Sequence, residues 1–254
     1  MKNQLYIDLN SDLGESFGHY KIGNDEEIMK YVSSVNIACG FHAGDPTTIK
    51  NTVNKALEAG VAIGAHPGFP DLQGFGRRNM HINPEEIYDL TLYQIGALNA
   101  FVKASGGKLH HVKPHGALYN MAAKDEQYSK AIVEAVLNID EDIILYGLSG
   151  SQLTAVAKRY GLKCANEAFV DRTYNRSGQL TPRTEQNSLI KTEEEALNQV
   201  LKMIHEKKVI ATTGEEVSIE VDTLCIHGDG IKAVEFAQKV NHTLKENNII
   251  IQAL

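Results

Sequence analysis

The chain is organised around the segment Val112-Lys113-Pro114-His115-Gly116-Ala117-Leu118-Tyr119-Asn120. Its apolar approach predicts a β-strand, in which alternate residues point to the same face. Lys113 and His115 are therefore expected to project together, and Gly116 lets the chain turn away after them. A cation and an imidazole that share a face at a strand end favour chemistry there, although a surface strand with two solvated polar residues gives the same pattern.

The same arrangement of an apolar run, grouped polar side chains and glycine recurs along the chain. It is found at 5–15, 35–45, 61–68, 164–172 and 224–230. In the first of these segments, Asp8, Asn10 and Asp12 alternate with Ile7 and Leu9, so the polar side chains are predicted to share one face. Six such segments in one chain are predicted to converge on one site.

Composition excludes some classes of protein. The chain has 254 residues, of which 43% are hydrophobic, and a formal net charge of −7. That charge argues against a nucleic-acid or polyanionic-membrane partner, and no apolar run approaches the roughly 18–20 residues that span a bilayer. Cys39, Cys164 and Cys225 lie far apart without a C-x-x-C pair, which is typical of reduced thiols and predicts a cytoplasmic protein.

Strand and helix patterns alternate about seven times, which predicts a mainly parallel sheet, either closed as a barrel or open and doubly wound. Polar clusters follow almost every predicted strand. In a barrel all carboxyl ends of the strands meet at one face, whereas edge strands of an open sheet lie too far apart to share a site. We therefore predict an α/β barrel of about seven strands, formed by residues 1–254 as a single domain, with a small β-hairpin inserted near 209–219.

The polar residues at the predicted strand ends fall into three chemical types. Metal-competent side chains are Asp12, His42, His66, His115 and His227. Candidate general bases are Asp12, Glu15, Asp45 and Glu167, and candidate cations are Lys113, Arg172 and Arg183. Lys113 also has a structural interpretation, because a buried lysine is costly unless a carboxylate such as Asp8 or Asp12 pairs with it.

Two long polar loops, 67–81 and 172–187, carry aromatic residues or arginines and are expected to close over the site. Neither a G-x-x-x-x-G-K-[ST] loop nor a G-x-G-x-x-G turn after a strand occurs in the sequence. The sequence thus contains no recognisable nucleotide cradle.

Five motifs in order along the chain resemble the lactam-utilisation (LamB/YcsF) family of 5-oxoprolinase A subunits. They are Asp8-Leu9-Asn10-Ser11-Asp12-Leu13-Gly14-Glu15, Asn36-Ile37-Ala38-Cys39-Gly40-Phe41-His42-Ala43-Gly44-Asp45, His66-Pro67-Gly68, Val112-Lys113-Pro114-His115-Gly116-Ala117-Leu118-Tyr119 and His227-Gly228-Asp229. The resemblance implies a (β/α)7-type barrel like that of the glycoside hydrolase/deacetylase superfamily. It also implies the ATP-dependent opening of 5-oxo-L-proline to L-glutamate with ADP and phosphate, with ATP and Mg²⁺ as cofactors and subunits B and C as partners.

Residue type assigns roles within that reaction. The predicted catalytic residues are Asp12, Lys113, His115, Glu167 and His227, and the predicted substrate-binding residues are Asn10, His42, Asp45, His66, Arg172, Arg183 and Asp229. Asp12 or Glu167 is the candidate base for water, and His115 or His227 is the candidate acid for the ring nitrogen. Lys113 and Arg172 are the candidate cations for the phosphate and the substrate carboxylate.

Two other functions are consistent with the sequence. One is a metal-dependent amide hydrolase or deacetylase that uses Asp12, His42 and His66 without ATP. The other is a non-catalytic binding subunit whose partners carry the chemistry, and the absence of a phosphate loop favours it. The sequence leaves open whether this chain binds a metal.

Overall fold

The computed structural model describes residues 4–226 and 232–254. The strands are β1 (Leu5–Leu13), β2 (Ser34–Ala38), β3 (Ala62–His66), β4 (Leu109–Val112), β5 (Ile144–Leu148), β6 (Cys164–Phe169), β7 (Lys208–Ile210), β8 (Glu216–Ser218), β9 (Thr223–Ile226) and β10 (Ile249–Ile251). The helices are α1 (Asp25–Ile28), α2 (Pro46–Ala59), α3 (Pro84–Ala104), α4 (Gly116–Ala122), α5 (Glu126–Ile139), α6 (Gln152–Arg159), α7 (Glu193–Glu206) and α8 (Ala233–Glu246).

Seven parallel strands form a closed barrel. Their order is β1-β2-β3-β4-β5-β6-β9, and β9 pairs in parallel with both β6 and β1, which closes the ring. Helices connect the strands along most of the chain. The predicted barrel of about seven strands is confirmed, and the open doubly wound alternative is wrong because β9 pairs with β1 and so joins the two ends of the sheet.

The inside of the barrel is polar and hydrogen-bonded around β1. The Asn10 amide donates to Glu167 and Thr223, and its carbonyl oxygen accepts from Asn36 at 2.8 Å. Ile7 and Leu9, on the other face of the strand, belong to the hydrophobic core. The predicted alternation on β1 is confirmed, and it places polar groups inside because each finds a partner there.

Side-chain caps fix where several helices begin. The Asp45 carboxylate accepts from the backbone N–H groups of Thr47 and Thr48 at the start of α2, where Pro46 occupies the first turn. Capping boxes open α3 at Asn83 and α7 at Thr192. These caps set the first residues of helices that pack against the barrel.

Two small sheet features lie outside the barrel. Strands β7 and β8 form an antiparallel pair with Val209 opposite Val217. The tail forms β10, which extends the sheet in parallel with Leu5–Ile7 of β1. No helix in residues 4–226 and 232–254 is long and apolar enough to cross a membrane.

The central segment departs from regular strand structure at Lys113 yet stays extended for two more residues. The backbone N–H of Lys113 donates to the carbonyl of Ala65 at 2.9 Å, and that of His115 donates to Pro67 at 2.8 Å. This continued pairing with the β3 side explains why both side chains turn toward the barrel. Gly116, with a φ of +53°, then starts the short helix α4.

Candidate active site

A cavity of about 430 Å³ opens at the carboxyl ends of the barrel strands. Its polar lining includes Asp12, Glu15, His66, Arg77, Asn79, Lys113, His115, Tyr119, Asn120, Lys124, Arg172, Gln179, Thr181, Arg183 and Thr184. Active sites of parallel β/α barrels lie at this face. The convergence predicted from the recurring motifs is therefore observed for the strand ends after β1, β3, β4 and β6.

Lys113 lies at the floor of the cavity between two carboxylates. Its Nζ atom is 2.9 Å from Asp12 Oδ1 and 2.8 Å from Glu167 Oε1, and it also contacts Cys225 Sγ at 3.1 Å. Only 2% of Lys113 is exposed. Burial by itself lowers the pKa of Lys113, but the charges of Asp12, Cys225 and Glu167 outweigh that effect and hold the pKa well above its usual value. The ammonium is therefore charged.

Asp12 is the carboxylate of this group that faces the cavity. Burial raises its pKa, while His66 and Lys113, through charge and hydrogen bonds, bring the pKa well below its usual value. Oδ1 of Asp12 also accepts from the Asn36 amide at 2.9 Å, and Oδ2 lies 3.3 Å from His66 Nε2. Asp12 is thus an ionised carboxylate held at the cavity wall.

Glu167 lies deeper and is completely buried. The Tyr119 hydroxyl donates to its Oε2 at 2.7 Å, while Lys113 and the Asn10 amide approach its Oε1. Three donors from three different segments leave this carboxylate little freedom to take part in proton transfer. Its geometry is that of a group that positions Lys113.

His66 and His115 form a buried pair beside Asp12. Nδ1 of His66 donates to the Lys113 carbonyl at 2.7 Å, and Nε2 of His115 donates to the Phe75 carbonyl at 2.8 Å, since a carbonyl oxygen only accepts. The other nitrogens, His66 Nε2 and His115 Nδ1, face each other at 2.9 Å. Burial lowers the pKa of His115 to about 3, so that ring is neutral near pH 7.

His42 and Glu15 complete a cluster of four metal-competent side chains with this pair. One ligand atom from each of the four residues lies within 4.8 Å of all the others. The His42 ring stacks on His115 at 3.7 Å, and its Nε2 lies 3.8 Å from Glu15 Oε1. Burial, followed by the charges of His115 and His66, lowers the pKa of His42 well below its usual value.

The loop 67–81 packs over this cluster as predicted for a segment that covers the site. Gln94 from α3 clamps Gly68 by bonding both its N–H and its carbonyl. Farther along, Asp71 accepts from the backbone N–H of Gly74 and pairs with Arg78. The Phe75 carbonyl thereby comes to His115, so the loop orients a site residue through its backbone.

The loop 172–187 contributes two arginines in different ways. The Arg172 guanidinium is buried and donates to the carbonyls of Ser188 at 3.1 Å and Thr181 at 2.6 Å, which ties the loop together. Burial, with the nearby charge of Arg183, lowers the pKa of Arg172 to about 10, which still leaves it charged near pH 7. Arg183 lines the cavity on the same side.

The structure brings together most, but not all, of the residues predicted from the sequence. Asn10 lies beneath the cavity in the polar interior, where it supports Glu167 and Lys113. Asp45 is not at this cavity, because its carboxylate caps α2 and accepts from Gly18. The predicted residues His227 and Asp229 lie outside the described residues.

Tyr119 and Arg77 are among the cavity residues that are absent from the sequence-predicted set. Tyr119 lies within the central segment, one helical turn after His115, and this spacing was the available signal. Arg77 lies within the loop 67–81, and nothing in its local sequence indicates which arginine of the adjacent pair faces the cavity.

Known proteins are similar to this chain over nearly its whole length. The chain is 57% identical over 248 residues to the 5-oxoprolinase A subunit from Bacillus cereus strain AH187, an alignment that covers 97% of this chain and 98% of the relative. It is 58% identical, also over 248 residues and with the same coverage, to the 5-oxoprolinase A subunit from Bacillus cereus strain ATCC 14579.

Solved structures show the same fold. The crystal structure of the lactam utilization protein from Thermus thermophilus matches with a TM-score of 0.93 and 49% identity, covering 98% of this chain and 100% of that one. A candidate cellobiose-phosphate cleavage protein of Enterococcus faecalis V583 shares the fold with a TM-score of 0.60 and 15% identity, over 98% of this chain and 97% of the other. The model of the LamB/YcsF family matches residues 7–254. The chain therefore belongs to the LamB/YcsF family.

Proposed function

We propose that the chain is the A component of an ATP-dependent 5-oxoprolinase, which opens the lactam of 5-oxo-L-proline to L-glutamate with ADP and phosphate. The observation that carries the proposal is the cavity that brings Asp12, Lys113 and Arg183 together at the carboxyl face of the barrel. The identity to proteins named as the A subunits of 5-oxoprolinase supports the choice of substrate.

The charges of the cavity suit this substrate. A 5-oxoproline molecule carries a carboxylate on the ring carbon next to the lactam nitrogen, and the lactam group itself is neutral. Arg183 lies at the cavity wall, and we assign it to the substrate carboxylate because arginine forms strong charge-assisted hydrogen bonds with carboxylates. Arg172 already donates to two loop carbonyls, so its role is to shape the loop that presents Arg183.

A lactam is a poor electrophile, and ATP provides the means to activate it. Transfer of the γ-phosphoryl group to the lactam oxygen, with ADP as the leaving group, gives an imidate-like species. Water adds to the activated carbon, the C–N bond breaks as the ring nitrogen takes a proton, and a second water releases phosphate. Mg²⁺ bound with ATP would screen the phosphate charges during the first step.

The geometry supports some of the candidate roles more than others. Asp12 is the better candidate for the base because it lines the cavity, whereas Glu167 is completely buried and does not line it. His227 is the better candidate for the acid, because burial keeps His115 neutral near pH 7. Lys113 is the cation at the developing negative charge, which is a role that fixed charges perform well in buried sites.

The partners are proposed to be subunits B and C, in a cytoplasmic complex. The sequence has no nucleotide-binding loop of the common types, so we expect the isolated chain to release no glutamate from 5-oxoproline, with or without ATP. The test is to measure glutamate release by the chain alone and by the chain mixed with both partners. The Asp12→Asn variant in the same mixture is the control.

ATP-dependent release by the mixture that is lost with Asp12→Asn supports the proposal. Undiminished release with the variant would show that Asp12 does not act as the base in this reaction. ATP-independent release by the isolated chain would instead favour the metal-dependent amide hydrolase.

A further inference from the structure

The strongest unexplained feature of the molecule is the contact between two nitrogen atoms, His66 Nε2 and His115 Nδ1, at 2.9 Å. Each ring already donates its other nitrogen to a backbone carbonyl, of Lys113 and of Phe75. A neutral imidazole has one donor and one acceptor nitrogen. In the neutral rings, therefore, the two facing atoms are both acceptors, and their lone pairs repel unless a positive species lies at this point.

Two further side chains point to the same place. His42 is completely buried, and both of its ring nitrogens lack a hydrogen-bond partner among the described residues. A buried polar group without a hydrogen-bond partner is destabilising, so an unpartnered imidazole beside two acceptor nitrogens indicates a ligand. The Glu15 carboxylate lies 3.8 Å from His42 Nε2 and 3.9 Å from His115 Nδ1.

We propose that Glu15, His66 and His115, joined by His42, bind one divalent transition-metal ion, with Zn²⁺ as the best match. Three imidazoles and one carboxylate form a nitrogen-rich donor set that suits zinc better than magnesium or calcium. Nitrogen and oxygen ligands about 2.0–2.1 Å from a tetrahedral ion lie about 3.4 Å from one another. The observed separations of 2.9, 3.8 and 3.9 Å bracket that value.

The surroundings of the pair match those of known metal ligands. Metal-binding histidines usually donate their second ring nitrogen to a carbonyl or carboxylate, which fixes the tautomer that ligates. His66 and His115 both do so through backbone carbonyls. Gly68 and Gly76 also leave room for this packing, because a Cβ at either position would lie within 2.7 Å of a His42 atom.

A proton on His66 Nε2, which donates to His115 Nδ1 or to Asp12 Oδ2 at 3.3 Å, is the competing explanation for the contact. It accounts for the 2.9 Å distance, but it leaves both nitrogens of His42 without a partner among the described residues. A metal ion accounts for the distance, and it gives one nitrogen of His42 a partner once that ring tilts toward it. Because Glu15, His66 and His115 line the cavity, such an ion would lie at the cavity wall. The inference concerns metal binding itself and stands independently of activity on 5-oxoproline.

The stacking of His42 on His115 predicts that the ligands contribute unequally to metal affinity. The rings of His42 and His115 are parallel within 3° at 3.7 Å, so one ion cannot lie in the planes of both rings. The ion is expected in the plane of His115, facing His66, and His42 has to tilt to reach it. Replacement of His42 is therefore expected to weaken binding, whereas replacement of His66 or His115 should abolish it.

The test uses the full chain without an affinity tag, stripped with a chelator and dialysed. Zn²⁺ is titrated in competition with a chromophoric chelator, and Co²⁺ is added separately for its visible spectrum. The expected result is one equivalent of tightly bound Zn²⁺ and the intense visible bands of a four- or five-coordinate Co²⁺ site. X-ray absorption of the zinc form should show several imidazole ligands and no sulfur ligand.

Variants then locate the site. His66→Ala and His115→Ala should lower the affinity at least about 100-fold, since changes to the residues behind the ligands already cost about 10–100-fold. Glu15→Gln and His42→Ala should lower it by less. His242→Ala, at an exposed histidine on α8, is the matched control and should bind like the parent.

Absence of stoichiometric binding to the parent chain would overturn the proposal, as would affinity that survives both His66→Ala and His115→Ala. If either alanine variant fails to fold, the spectrum and absorption data of the parent still decide the question. X-ray absorption data that show a sulfur ligand, or fewer than two imidazole ligands, would also overturn the proposal. An imidazole NMR signal of a proton on His66 Nε2 that persists unchanged after Zn²⁺ addition would establish the competing explanation.

Discussion

The ammonium of Lys113 and the carboxylate of Glu167 lie 2.8 Å apart, and both residues are almost completely removed from solvent. Lys113 enters from the end of β4 and Glu167 from β6, so this ion pair joins non-adjacent strands across the inside of the barrel. The pair places a fixed positive charge beneath the cavity, and the Tyr119 hydroxyl and Asn10 amide hold its negative partner still.

Truncation of Lys113 is predicted to destabilise the protein strongly. Lys113→Ala leaves two carboxylates without their cation, and loss of one partner of a buried ion pair costs about 3–5 kcal/mol. Urea denaturation followed by circular dichroism measures the change. Lys163→Ala is the control, because Lys163 pairs with Asp142 on the surface, where such pairs contribute about 0–1 kcal/mol. If both variants lost the same free energy of unfolding, burial of the Lys113 ion pair would not increase its contribution to stability.

Asp12→Asn is predicted to reduce turnover by the complete 5-oxoprolinase about 10²–10⁴-fold, which is the usual effect of removing a group that transfers a proton. Asparagine retains the size of the side chain and a carbonyl oxygen that can accept from Lys113. The fold is therefore expected to survive, as a cooperative thermal transition would show. Activity within a factor of about two of the parent would mean that Asp12 serves only to hold Lys113.

The two cavity arginines are predicted to behave differently. Arg172→Ala removes the donors to Thr181 and Ser188, so the loop 172–187 should become more sensitive to limited proteolysis. On the proposed function, Arg183→Ala should raise the KM for 5-oxoproline about 10–100-fold, as expected for the loss of a charged hydrogen bond worth about 1.5–3 kcal/mol. If Arg172→Ala raised the KM and Arg183→Ala increased the proteolysis of the loop, Arg172 would bind the substrate and Arg183 would hold the loop.

Gly116→Ala is predicted to destabilise the protein more than Gly150→Ala. Both glycines have positive φ values, +53° and +70°, so alanine incurs a similar backbone cost at each. A Cβ at Gly116 would lie 2.6 Å from the carbonyl oxygen of Gly76, whereas a Cβ at Gly150 meets no described atom within 4 Å. The difference in free energy of unfolding is expected to be about 1–3 kcal/mol, the usual cost of overpacking. Equal losses in urea denaturation would contradict this.

The cap of α2 gives a prediction about pH. Hydrogen bonds from the backbone N–H groups of Gly18 and Thr48 are the main causes that lower the pKa of Asp45 from 3.8 to about 2. A carboxyl group whose pKa is lower in the folded state stabilises the fold above the unfolded-state pKa. The contribution of Asp45 should thus be complete above about pH 4 and decline as pH falls toward about 2.

Asp45→Ala is expected to lose about 1 kcal/mol of stability at pH 7, as is typical for helix caps. The difference in urea midpoint between parent and variant should narrow between about pH 4 and pH 3. A constant difference across that range would show that the carboxylate charge does not contribute.

The sequence by itself determined the barrel and much of its polar interior. Alternation along β1 separates Asp8, Asn10 and Asp12 from Ile7 and Leu9, because consecutive side chains in a strand point to opposite faces. Repetition of polar residues after apolar runs indicated that strand ends share one face, which a closed barrel requires. These features depend on local periodicity, so they can be seen without coordinates.

The tertiary structure decided which of the polar residues act together. Asp45 and Asp12 look alike in sequence, yet one caps α2 and the other lines the cavity. The histidine pair depends on donation to the Lys113 and Phe75 carbonyls, one of which comes from a loop 40 residues away from His115 along the chain. Such contacts arise from packing between distant segments. Local sequence patterns therefore do not predict which backbone carbonyl accepts from which imidazole ring.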